Sequence, residues 1–262
     1  MKILVTGSNS KIGTHLTKKL HASGNEIISF GGKSSKIWKL GEGIPKNSQA
    51  DVLIHLAHDR NFSVEENVNA NQEICSSFAG PKIFLSSLSA HRQSESKYGI
   101  SKFESESVFL NYNSSILRAG IVYGKDVGGI FEKLNKVVKF FPVIPLPYRG
   151  NNLFYTSQID DLVDEIIQQI YYPSQKIVFA ANSYPISFYN LIHKISEFNN
   201  LSRFLLPLPK QPLDFFFKYL LKLIRNIAFA DSVLSLTTSV DYTELSLLGQ
   251  PLTDFREFEL KH

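Results

Sequence analysis

The chain has 262 residues, enough to bury a full core, and 43% apolar content with a net charge of +4 describes an ordinary globular protein. That charge is mild and spread out, with no basic run interleaved with aromatics, so nucleic-acid binding has little support. Cys75 is the only cysteine, which excludes an internal disulfide and suits a reducing cytoplasm, and the histidines show no metal-ligand spacing.

Met1 opens straight into Lys-Ile-Leu-Val-Thr6, a β-rich apolar run of the kind buried on both faces of a sheet. No charged leader with an apolar stretch precedes it, so a cytoplasmic location is expected. Thr6-Gly7-Ser8-Asn9-Ser10-Lys11-Ile12-Gly13 follows, then apolar positions 12, 16 and 20 at helical spacing. Strand, glycine-bearing turn and helix make the first half of a dinucleotide-binding unit. Gly7 permits the tight turn, Gly13 lets helix approach strand, and the helix N-terminus faces a pyrophosphate.

After the second strand, 26–30, an NAD-selective site places a carboxylate on the adenosine ribose. Here the chain reads Gly31-Gly32-Lys33-Ser34-Ser35-Lys36, with no acidic residue. Lysines and serines suit a ribose phosphate, so NADP is favoured, with NAD open and an idle solvated loop as the plainer alternative. Trp38 to Gly43 is expected as a short third strand reaching adenine, with no full helix before Asp51.

Further strands are expected near 51–57, 81–87, 115–118 and 176–180, with helices near 11–22, 64–79, 97–111, 129–141 and 187–198. This alternation predicts an α/β protein with a parallel doubly wound sheet and right-handed crossovers. Residues 143–150 form a proline-punctuated connection into a helix opening at Asp160-Asp161, where acids suit the N-cap and first turn.

Tyr98 and Lys102 stand four apart in Ser-Lys-Tyr-Gly-Ile-Ser-Lys, eleven residues after the Ser86-Ser87 pair that closes an apolar run. On a helix they share one face. A phenol with an ammonium beside it is a general acid/base, because the cation favours phenolate. A strand-end hydroxyl, Ser87 or its neighbour Ser86, can polarise a carbonyl or alcohol held against that phenol.

As a set, these motifs resemble the extended and atypical short-chain dehydrogenase/reductases, which include nucleotide-sugar epimerases, dehydratases and reductases. Thr6, Gly7 and Gly13 match their TGxxGxxG; Ser87, Tyr98 and Lys102 match their Ser and YxxxK. Asp51–Ala57, Asn67-Val68-Asn69, Leu117–Gly124 (their LRPxxVYG) and Ile159–Leu162 (their HVDDL) follow in order, so the likeness covers about residues 1–165. Ser10 replaces the middle glycine, Ile121 a polar Asn and Gln158 a His, and Phe154 falls near a phosphate-binding Arg.

The resemblance implies a Rossmann core of 1–124, with 150–182 returning to the sheet, and a substrate lobe of 125–149 and 183–262. It implies cofactor contacts from Gly7, Asn9, Ser10, Lys11, Ile12, Gly13, Lys33, Ser34, Leu56, Ala57, Ser86, Tyr98 and Lys102. Substrate contacts fall to His58, Ser87, Ser89, His91, Ala119 and Gly120. The implied activity is hydride transfer at a secondary alcohol or ketone of a nucleotide-linked sugar, ending as epimerisation, dehydration or net reduction. A non-catalytic NAD(P)-binding sensor or assembly protein is the competing class.

His55 and His58 bracket the end of the 51–57 strand and are expected to be hydrogen-bonded structural residues rather than metal ligands. Arg118 is expected to pair with a carboxylate, and Tyr123 to line the pocket or pack under it. Between Leu213 and Phe229, Asp214, Lys218, Lys222 and Arg225 form a polar stripe on an otherwise aromatic and aliphatic surface. Charges every four residues exclude an ordinary membrane span. A lobe helix, a homodimer interface and a peripheral membrane contact remain open readings.

Overall fold

The computed structural model describes residues 1–31, 38–209 and 258–260. Lys33, Ser34 and the stretch 213–229 therefore lie outside the described residues. The chain begins with β1 (Lys2–Thr6), α1 (Lys11–Ala22), β2 (Glu26–Phe30), β3 (Val52–His55) and α2 (Val64–Ser77). It continues with β4 (Lys82–Ser87), α3 (Lys97–Leu110), β5 (Ser115–Ala119), β6 (Ile121–Tyr123), α4 (Gly129–Phe140) and β7 (Val143–Leu146). Then come β8 (Leu153–Phe154), β9 (Thr156–Gln158), α5 (Ile159–Tyr171), β10 (Ile177–Ala180), β11 (Ile186–Ser187), α6 (Phe188–Phe198) and β12 (Phe204–Pro207).

Six strands form one parallel sheet in the order β10-β5-β4-β3-β1-β2. All of β3 and β5 is buried, as runs covered by helices on both faces must be. On one face Leu16 and Leu20 of α1 join Leu162 and Ile166 of α5; on the other, Cys75 of α2 and Phe109 of α3 pack on Phe84. Each such aliphatic side chain taken from water stabilises the fold by about 1.5–3 kcal/mol. The doubly wound α/β architecture is the expected one, and helix and strand positions agree to within a few residues.

Two local expectations are corrected. Residues 38–43 form no strand: the Trp38 indole stacks on Phe30 at 5.9 Å between centroids and donates to the Gly43 carbonyl at 2.6 Å. A side chain plugged into the core thus anchors this segment, instead of backbone pairing with β2. The N-cap of α5 is Gln158, whose Oε1 accepts from the backbone N–H of Asp160 and, at 3.0 Å, of Asp161. The two acids occupy the first turn, where the helix dipole favours them.

The sequence reading did not resolve three two-stranded sheets: β6 with β9, β7 with β12, and β8 with β11. Their strands are two to four residues long and pair across long sequence gaps, so local pattern carries almost no signal for them. No described helix is long and apolar enough to cross a membrane.

Candidate active site

The first wall of the site is the turn between β1 and α1. Gly7 has a φ of +70°, and a Cβ there would stand 2.8 Å from the Ala57 nitrogen. A Cβ on Gly13 would stand 2.4 Å from the Gly7 carbonyl oxygen. Both glycines are thus required for contact between turn, helix and the end of β3. Ser10, in place of the usual middle glycine, is extended at φ −65° and accepts from Gly13 N at 3.0 Å as the N-cap of α1. Asn9 ties the turn to the end of β2 through the Gly31 carbonyl at 2.8 Å. Lys11 opens α1 at the surface.

The second wall is α3 with the end of β4. Ser96 caps α3, and Tyr98 and Lys102 project from its first two turns toward the sheet. They share one cleft of about 160 Å³ with Ser10, Ile12, Leu56, His58, Leu85, Ser86, Ser87, Ala119, Gly120 and Val122. Helical spacing and tertiary structure agree at this point, since phenol and ammonium face the same space.

Lys102 is buried, donates to the Leu85 carbonyl at 2.7 Å, and lies 4.4 Å from the Phe84 ring centroid and 5.9 Å from that of Tyr98. Burial lowers its pKa to about 7, against an upward pull from Glu106.

The two serines separate. Ser86 Oγ donates to Glu106 at 2.5 Å, inside a buried pair in which Arg118 grips both Glu106 oxygens at 2.9 and 2.7 Å. Ser87 Oγ lies 2.9 Å from Ser89 Oγ, on the open side of the cleft. Of the two hydroxyls, Ser87 is the one not bonded to Glu106.

His58 stands edge-on to Tyr98 at 5.0 Å between centroids, and the Arg60 guanidinium lies 5.8 Å from the Tyr98 ring centroid. Burial first, then the cations Lys102 and Arg60, lower the His58 pKa to about 2. His55 is buried, lies 2.6 Å from Thr6 Oγ1 through Nδ1, and stacks on Phe84 and Phe109. Burial and then Lys102 lower its pKa to about 3. Both imidazoles are thus neutral beside the buried Lys102 ammonium.

His91 is buried beside Ser89 and outside the cleft lining. Tyr123 packs under the site against Phe131 and Phe258. Phe154 is buried against Phe188. Among the described residues no cluster of metal-ligating side chains exists.

Glu106, Arg60 and Gly99 were not singled out from sequence. A Cβ on Gly99 would stand 2.3 Å from the Ser89 carbonyl oxygen and 2.1 Å from Ser94 Oγ, so the Ser87–Ser96 loop rests on this glycine. The signal was present, as a glycine beside Tyr98 at a helix start. Gly99→Ala is expected to destabilise by about 1–3 kcal/mol through overpacking. Urea unfolding measures this, and wild-type stability would contradict the close approach.

The glycine-cradled helix N-terminus at the end of a parallel sheet strand defines a Rossmann-like architecture. The sequence matches no protein-family model and no curated protein. Solved structures share the fold. TunA, an NAD-dependent NDP-hexosamine 5,6-dehydratase of tunicamycin biosynthesis, is 18% identical with a TM-score of 0.66, covering 80% of this chain and 84% of its own. MoeE5, solved with UDP-glucose and NAD, is 16% identical with a TM-score of 0.63 over 80% and 86%. The dTDP-4-dehydrorhamnose reductase of Bacillus anthracis, solved with NADP, is 15% identical with a TM-score of 0.66 over 80% and 86%.

Proposed function

We propose that this chain is an NAD(P)-dependent oxidoreductase or epimerase acting on a secondary alcohol or ketone of a nucleotide-linked sugar. One observation carries the reading: Tyr98, Lys102 and Ser87 open on one cleft with Ser10 and Ile12 of the glycine turn. Fold neighbours solved with NAD, NADP and UDP-glucose support the same classes of ligand.

The residues fit a dinucleotide. The Gly7–Gly13 turn leaves no room for side chains between helix and strand, and the α1 N-terminus, with no acid in its first turn, suits a pyrophosphate. Asn9, Ser10, Lys11 and Ile12 would hold that end, Leu56, Ala57 and Ser86 the middle, and Lys102 the nicotinamide ribose. The bound nicotinamide supplies hydride transfer. Lys33 and Ser34 belong to the same proposal through a ribose phosphate, which favours NADP and leaves NAD open.

Tyr98 gives or takes the hydroxyl proton, Lys102 favours its phenolate, and Ser87 donates to the substrate oxygen. Neutral His58 and Ser89 offer hydrogen bonds on the substrate side, next to Ala119 and Gly120, which line the same cleft. In this reading the described parts of 1–124 and 150–182 make the cofactor core, and those of 125–149 and 183–262 the substrate lobe. A purely sensory role gives no reason for Tyr98 and Lys102 to face the cleft together.

Thermal denaturation with NADP, NAD, UDP-glucose and a dTDP-sugar tests the reading. A true ligand at a hundredfold its Kd adds about 2.7 kcal/mol, a rise of a few degrees in Tm. No rise with either dinucleotide would remove the proposal.

A further inference from the structure

We propose that Glu106 is a positioning residue: it is the buried counter-charge that keeps Lys102 protonated in the cleft, and Arg118 sets how strongly it acts. The proposal rests on the reading of Lys102 as the cofactor-side cation, and gives that cation a device that sets its charge.

Lys102 and Glu106 are one helical turn apart on the inward face of α3, 4% and 2% exposed. Consecutive residues of β4 bind both: the Leu85 carbonyl accepts from Lys102, and the Ser86 hydroxyl donates to Glu106. A lysine this buried sheds its proton unless a carboxylate opposes the loss of water. The groups around it are His55 and His58 from β3 and the loop after it, Tyr98 and Glu106 from α3, and Arg118 from β5. Both imidazoles are neutral, Arg118 is a cation, and Glu106 is the carboxylate that acts on the ammonium.

Arg118 competes for the same carboxylate. Its guanidinium takes both Glu106 oxygens in a two-bond fork, which attenuates the field that reaches Lys102. The two partners of one ion pair should therefore move the lysine in opposite directions. Glu106→Gln leaves two unopposed buried cations and lowers the Lys102 midpoint. Arg118→Met frees the carboxylate for Lys102 and raises it. A merely structural ion pair would lose stability in both variants without this opposition of sign.

The test is a ¹⁵N-lysine NMR titration of Nζ in the full chain without cofactor, from pH 5 to 10, with the Lys102 signal assigned by its loss in Lys102→Met. The expected result is a midpoint lower by about one unit in Glu106→Gln and higher by a similar amount in Arg118→Met. If Glu106→Gln does not fold, the double variant Glu106→Gln/Arg118→Met, which carries no charge at either position, takes its place. Its midpoint must fall below that of Arg118→Met. Unchanged midpoints, or shifts of the same sign in both single variants, overturn the proposal. Failure of the wild type to bind NADP or NAD would remove the enzymatic reading while leaving this titration interpretable, so the two failures are distinguishable.

Discussion

Tyr98→Phe is expected to lower turnover by about 10²–10⁴-fold, the usual contribution of a positioned general acid/base, while cofactor affinity stays near that of the wild type. The phenyl ring keeps the edge contact with His58 and the face offered to Arg60, so the cleft retains its shape. Lys102 keeps its bond to the Leu85 carbonyl, and the glycine turn lies on the opposite wall. The hydroxyl, with its exchangeable proton, is what the variant loses. Steady-state turnover on a sugar nucleotide identified by thermal shift, with dinucleotide titration in parallel, separates the two effects. Wild-type turnover in this variant would take the proton-transfer role away from Tyr98. Loss of dinucleotide binding together with turnover would show instead that the hydroxyl is needed for assembly of the site.

Acid is expected to destabilise the protein well before its carboxylates titrate. His55 and His58 have folded pKa values lowered to about 3 and about 2 from an ordinary 6.5. Between pH 6.5 and 5 the unfolded chain therefore binds protons that the folded chain refuses, so stability falls as pH falls through this window. Each fully buried neutral histidine contributes a slope of up to about 1.4 kcal/mol per pH unit. For His58, which is partly open to the cleft, the value is smaller. Lys102, with a folded pKa of about 7 against an ordinary 10.5, adds a slope of the same sign from pH 7.5 down to about pH 6, below which it is protonated in both states and the histidines carry the effect. Urea unfolding at pH 7.5, 6.5, 5.5 and 5 measures the effect. His55→Gln should flatten the profile, although it lowers stability at pH 7.5 by disturbing the stack on Phe84 and Phe109. A profile that is level between pH 7.5 and 5 would contradict neutral burial of these two rings.

The site was legible in sequence where its parts are close together along the chain. Tyr98 and Lys102 face one way because a helix repeats every 3.6 residues, and Gly7 and Gly13 bracket one turn. The choice between Ser86 and Ser87 was not legible. Consecutive strand residues point to opposite faces, and a register uncertain by one residue exchanges their roles. The contact of Ser86 with Glu106 on α3 engages that hydroxyl, which supports the proposed role of Ser87. Arg118 was expected to find a carboxylate, but which one depends on β5 lying next to β4 under α3.

By itself the sequence determined the alternation of buried strands and amphipathic helices, the glycine turn at the head of α1, and the pairing of a phenol with an ammonium on one helix face. Each follows from backbone periodicity and steric rules acting over fewer than about twenty residues. Tertiary structure decided the rest: that Trp38 plugs the sheet edge instead of extending it, that Gln158 caps α5, and that three small sheets tie distant segments together. It also decided that the cleft's one buried ammonium is surrounded by neutral imidazoles and opposed by Glu106. The reason is physical. Desolvation and close-range charge depend on which groups share a dry volume, and that is set by how sheet and helices pack rather than by any local run of residues.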